Sequence, residues 1–157
     1  MLIGVSGSGK QSLTTLAASI LDQISFQVKL TKNFDPSKFR EQLKEKMLVA
    51  GCEEMPTTFI LNDTQIMYES FLEDINNILN GGDVPNLYKA EDMEPILKVG
   101  KNECMDKGIT VTKMNMFMAY LSRIEKNIHM VVAMSPLGEV FRSRLRNFPS
   151  LVTCCTL

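Results

Sequence analysis

Residues Gly4 to Ser12 read GVSGSGKQS, and Gly4, Gly9 and Lys10 fill the fixed places of the pattern G-x-x-x-x-G-K. In that pattern backbone amides gather around a phosphate, between the end of a strand and the start of a helix. No other feature of the chain narrows its fold as far. Leu2, Ile3 and Val5 supply a short apolar strand before the loop. After it, Leu13, Leu16, Ala17, Ile20, Leu21 and Ile24 recur at helical spacing, which predicts a helix from Lys10 to about Gln23. Gly7 and Gly9 let the backbone curl where a side chain would be penalised. The helix start adds unpaired N–H groups and the positive end of a dipole, and Lys10 adds a full charge. The candidate binding residues are Gly4, Val5, Ser6, Gly7, Ser8, Gly9, Lys10, Gln11 and Ser12, and the ligand they imply is a purine nucleotide. A glycine-rich turn with no ligand is the competing reading. It leaves the order of strand, loop, lysine and helix unexplained.

One place departs from the pattern. The residue after the lysine is ordinarily Ser or Thr, whose hydroxyl binds Mg²⁺. Gln11 stands there, and Ser12 follows one residue later, a rotation of roughly 100° around a helix. The phosphate cradle reads as whole and the metal half as impaired.

The second half of such a site is an acidic pair at the end of an apolar strand, one carboxylate for Mg²⁺ and a Glu to polarise water. The matching string is FILND, Phe59 to Asp63. Asn62 takes the metal position and is neutral; Asp63 takes the Glu position and is one methylene shorter. In the other register Asp63 is the metal carboxylate and Thr64 stands where the Glu belongs. Either register predicts slow hydrolysis or none. A strand-end turn is the bland alternative for these two residues. Ser135 ends the next apolar run, IHMVVAMS, as a γ-phosphate sensor or a helix cap. Arg142, Arg144 and Arg146 follow, as a solvated basic face or as an arginine finger for a neighbouring module's nucleotide.

The remaining pattern alternates strand and helix. Strands are expected at Phe26 to Leu30, Thr57 to Leu61, Ile128 to Met134 and Leu151 to Leu157. Asp35-Pro36 opens a helix that Gly51 ends, and the stripe Tyr68 to Leu79 forms another that Asn80-Gly81-Gly82 stops. A less regular stretch runs from Asp83 to about Thr112. A helix carrying Met114, Phe117, Met118, Leu121 and Ile124 follows, its methionines read as core filler. This order predicts an α/β fold: a three-layer parallel sheet with helices on both faces, and residues 82–127 as a helical insertion before the fourth strand.

Bulk numbers set limits. The 157 residues suffice for one domain with a core, and a net charge of −1 argues against nucleic acid or an anionic membrane as partner. The four cysteines form no C-x-x-C or Cys/His pattern, so no metal site is expected, and Cys154 and Cys155 read as small residues on a buried strand. His129, the one histidine, reads as structural.

The strings GVSGSGKQSL, FILNDTQIMYESFLEDINNILNGGDVPNLY and MSPLGEVFRSRLRNFPSLVTCCT resemble the fourth AAA+ module of axonemal dynein heavy chains, over essentially the whole chain. The resemblance implies one AAA+ large α/β subdomain over residues 1–157, incomplete at both ends, within a ring of six modules. It implies a regulatory module that binds ATP or ADP, with Mg²⁺ less well supported, inside a minus-end-directed microtubule motor of cilia and flagella. Lys10 carries over as the phosphate lysine, Asp63 as the degenerate acid, Ser135 as the sensor and Arg146 as the favoured finger. The implied partners are neighbouring AAA+ modules, dynein intermediate and light chains, and the microtubule through parts absent from this chain; the implied place is the axoneme. A free-standing small phosphotransferase is the alternative. Such enzymes keep Ser or Thr after the lysine and carry lid arginines, whereas the arginines here cluster near the C-terminus.

Overall fold

A computed structural model describes residues 1–156. In chain order the elements are β1 (Leu2–Ile3), α1 (Lys10–Ile20), β2 (Ile24–Gln27), α2 (Pro36–Cys52), β3 (Thr57–Asn62), α3 (Glu69–Gly81), α4 (Ala90–Asp106), α5 (Lys113–Asn127), β4 (Ile128–Met134), α6 (Glu139–Asn147) and α7 (Ser150–Thr153).

Local chemistry sets most of the boundaries. Asp35 accepts a bond from the Lys38 amide at 2.9 Å, and Pro36 takes the first helical place of α2. Thr112 caps α5 in the same way through the Asn115 amide at 3.1 Å. Gly82 closes α3 in the left-handed conformation, with φ 70°. Gly51 does not end α2 as the sequence suggested. It lies in the last turn, where a Cβ would run into the Tyr120 ring.

The four strands are all parallel, in the order β1-β4-β3-β2, with Leu2 opposite Ala133 and Thr57 opposite both Ile128 and Ile24. Handedness then fixes the layers. The β1-to-β2 crossover runs one way across the sheet, and the β2-to-β3 and β3-to-β4 crossovers run back. Right-handed connections therefore place α1 on one face and α2 and α5 on the other. The α2 side holds the main core. Phe39 stacks on Phe71 with ring centroids 4.2 Å apart and meets Phe59 edge-on, and all three are buried. Each such side chain contributes roughly 1.5–3 kcal/mol of burial.

Several elements differ from the sequence reading. The irregular stretch after Asp83 contains α4, a 17-residue helix with Pro95 in its second turn. A proline there forfeits the bond to the Glu91 carbonyl, and packing outweighs that loss. Gly100 lets the α4 backbone touch α5 so closely that a Cβ would collide with the Met116 carbonyl. On α5 the buried face is Tyr120, Leu121 and Ile124, while Met114 and Met118 stand in solvent and are not core filler. The expected strand at Leu151 to Leu157 is instead the short helix α7, followed by a turn with Cys154 exposed; Leu157 lies outside the described residues. His129 is exposed on β4.

The largest difference concerns α1. It ends at Ile20, before the expected Gln23, and Ile24 begins β2. Thr14 and Ala18 face the sheet, while Leu13, Leu16, Ile20 and Leu21 are 64%, 58%, 74% and 66% exposed. The apolar stripe exists, and it points away from the sheet.

Candidate functional site

The loop from Gly4 to Gly9 leaves the C-terminal end of β1, beside the ends of β3 and β4, where open parallel sheets bind ligands. The Gly4 amide extends the β1–β4 ladder by donating to the Met134 carbonyl at 3.1 Å. Gly7 and Gly9 both sit at positive φ, 79° and 76°, which is the freedom the loop requires of them. The first bond of the α1 ladder runs from the Leu13 amide to the Gly9 carbonyl at 2.9 Å. The amides of Gly9, Lys10, Gln11 and Ser12 therefore precede the ladder and have no acceptor within the helix. Lys10 Nζ curls over the loop and donates to the carbonyls of Gly4 at 2.7 Å and Val5 at 2.8 Å, and to Ser8 Oγ at 3.1 Å.

A cavity of about 380 Å³ is lined by Ser6 to Ser12 together with Asn62, Asp63, Thr64 and Ser135. The residues singled out from two distant strings thus meet at one place, with Gly4 and Val5 acting through their carbonyls. The ends of β3 and β4 are tied together here. Asp63 Oδ1 accepts from the Thr64 amide at 2.9 Å and Oδ2 from the Ser135 amide at 3.0 Å. Ser135 does not cap a helix, since α6 starts after Gly138. Asn62 Nδ2 donates to Gln11 Oε1 at 2.9 Å, and Gln11 Nε2 donates to Gln27 Oε1 at 2.5 Å. Gln27 was not legible as a site residue. A lone polar residue in a strand carries no motif, and only the sheet order brings it to Gln11.

The arginines do not reach this cavity together. Arg144 donates to Glu69 at 3.2 Å and to the Ile66 carbonyl at 3.5 Å, and lines a neighbouring hollow with Asp63 and Ser135. Arg142 is exposed and pairs with Glu139 at 3.7 Å. Arg146 is exposed, with no side-chain hydrogen bond or ion pair among the described residues. A second hollow, about 540 Å³ and more apolar, lies far along the chain between Asp83, Tyr88 and Phe117. It lacks the glycine loop and its lysine, so the loop cavity is the phosphate candidate.

All 157 residues match the family model described as P-loop containing dynein motor region D4. The chain belongs to this dynein family. It is 52% identical over its whole length to dynein axonemal heavy chain 1 of Rattus norvegicus and 50% identical to that of Homo sapiens. It is 41% identical to the dynein-1-beta heavy chain, flagellar inner arm I1 complex, of Chlamydomonas reinhardtii. In each case the chain spans 4% of the relative's length. The resemblance stated from the sequence is borne out, as is the α/β fold with its parallel sheet. Membership of a dynein motor region also makes the chain part of a heavy chain with several AAA+ modules, and favours that reading over a free-standing phosphotransferase.

A P-loop dynein region implies nucleotide, and the loop fits its phosphates: four helix-start amides and one ammonium converge on one cavity. The fit to Mg²⁺ is poor. The hydroxyl and carboxylate that would hold it are replaced by the amides of Gln11 and Asn62, which bond to each other.

Proposed function

We propose that this chain is a regulatory nucleotide-binding module of an axonemal dynein motor, taking ATP or ADP on residues Gly4 to Ser12 with little or no hydrolysis of its own. The observation that carries the reading is the state of Asp63. Both of its oxygens accept backbone amides, so the acid nearest the phosphate loop works as a strand tie. Hydrolysis needs a base within hydrogen-bond reach of the attacking water, and the neighbouring Asn62 is neutral. Binding without turnover is what such a site supports.

The role in the parent follows from that chemistry. A module that holds nucleotide without spending it sets the shape of a ring whose power stroke is made elsewhere. Ser135, beside Asp63 at the end of β4, is the residue that would sense the outer phosphate. Arg146, exposed and without a partner among the described residues, is the finger offered to an adjoining module's nucleotide. The setting is microtubule-based movement in the axoneme of a cilium or flagellum, with the microtubule, intermediate chains and light chains engaged through other parts of the heavy chain.

The test is a titration of the purified chain with ADP and ATP, followed by a turnover assay on the same sample. Saturable binding with negligible phosphate release is expected. Rapid turnover, or transfer of phosphate to a small acceptor, would overturn the reading.

A further inference from the structure

We infer that this site takes its nucleotide without magnesium, because a chain of side-chain amides fills the place of the ion. The inference rests on the nucleotide-binding reading above and adds to it the form of the ligand.

In a phosphate-loop site the cation sits between the hydroxyl that follows the lysine and the carboxylate at the strand end. Those two places are Gln11, second residue of α1, and Asn62, last residue of β3. Their side chains meet directly at 2.9 Å, and Gln11 continues to Gln27 at 2.5 Å. One hydrogen-bonded run thus links β3, α1 and β2 across the position that a metal would bridge.

Magnesium asks for small, hard oxygen ligands at about 2.0–2.1 Å in octahedral geometry. Gln11 Oε1 is already engaged as an acceptor, and Asn62 presents to it an NH₂ group, whose positive end repels a cation. The nearest carboxylate gives no relief. Asp63 is turned toward the amides of Thr64 and Ser135. The other charges and dipoles facing the cavity, the Lys10 ammonium and the start of α1, are positive. Apart from the Asp63 carboxylate, which two backbone amides hold, the local fields favour an anion and disfavour a dication. The phosphate charge is balanced by Lys10 and backbone amides, and the amide run holds α1 against the sheet in the way a bridging ion otherwise would.

The test is a titration of a fluorescent ADP derivative into the purified chain, in EDTA and again in excess Mg²⁺. The expected result is an affinity in EDTA equal to or tighter than that in Mg²⁺. Tightening by Mg²⁺ of about threefold or more, roughly 0.65 kcal/mol, overturns the inference. No binding in either buffer fails the nucleotide reading itself, a different result from binding that Mg²⁺ strengthens. The double variant Gln11→Thr, Asn62→Asp restores both metal-holding groups. It is expected to gain a Mg²⁺ dependence of at least about threefold. A variant that binds as indifferently to Mg²⁺ as the parent shows that the amide run is not what excludes the ion, and the inference falls.

Discussion

The backbone amide of Ser135 donates to Asp63 Oδ2 at 3.0 Å, joining the residue after β3 to the residue after β4 across the mouth of the cavity. A carboxylate so used is a clamp on two neighbouring strand ends. Hydrogen bonds to a charged acceptor contribute about 1.5–3 kcal/mol. Asp63→Ala is therefore expected to lower stability by about 1–3 kcal/mol in urea unfolding. Asp63→Glu is expected to recover little of it, because the longer side chain places its oxygens beyond the Ser135 amide. Unaltered stability in the alanine variant would remove the clamp from the account.

Lys10 is the one side chain in the loop that carries a full charge, and its Nζ lies within 3.1 Å of three loop oxygens. Lys10→Ala is expected to weaken ADP binding by more than about tenfold, over ~1.4 kcal/mol, in a direct titration. An affinity that does not change would take Lys10 out of the site.

Gly100 and Gly81 make a matched pair of tests. A Cβ at Gly100 collides with the Met116 carbonyl, which belongs to a rigid helix, whereas a Cβ at Gly81 meets nothing within 4 Å. Gly100→Ala is expected to cost about 1–3 kcal/mol through overpacking. Gly81→Ala, on the last turn of α3, is expected to be neutral or to stabilise by up to about 1 kcal/mol. Comparable losses in both variants would show that helix glycines matter here for some reason other than the α4–α5 contact.

Asp83 gives a pH dependence. Burial raises its carboxyl above the usual 3.8, opposed by a bond from the Val84 amide, and its Oδ1 is buried without a hydrogen-bond partner. The native state thus holds this proton more tightly than the unfolded chain does. The stability the group contributes is full below its unfolded pKa and is lost as pH rises through the higher folded value. At neutral pH the buried charge is a cost. Asp83→Asn is expected to raise the melting temperature at neutral pH by about 2–4 °C, with the difference closing in acid. A lower melting temperature at neutral pH would contradict this.

The cradle was legible because its parts are close in sequence and each has a mechanism: two glycines for positive φ, a lysine, and a helix start. Asn62, Asp63 and Ser135 were legible as strand ends that a parallel sheet must bring to the same edge. Gln27 was not, because its role depends on β2 lying beside β3 and on the length of the Gln11 side chain. Helix α4 was hidden in the less regular stretch because Pro95 and Gly100 interrupt its helical pattern, although the proline falls near the helix start and the glycine serves a close approach to α5. The last strand was misjudged because Leu151 to Leu157 is an apolar run too short for periodicity to separate strand from helix. The stripe on α1 was legible as a pattern, and the side it faces was not. Spacing reveals that a helix has an oily side, and only the surrounding layers decide which way that side looks.

That outward stripe has a practical meaning. Leu13, Leu16, Ile20 and Leu21 form a greasy band along a helix whose N-terminal turn belongs to the phosphate cradle. Water wets such a band reluctantly. Whatever covers that band rests on the same helix that carries Lys10 and the start of the cradle.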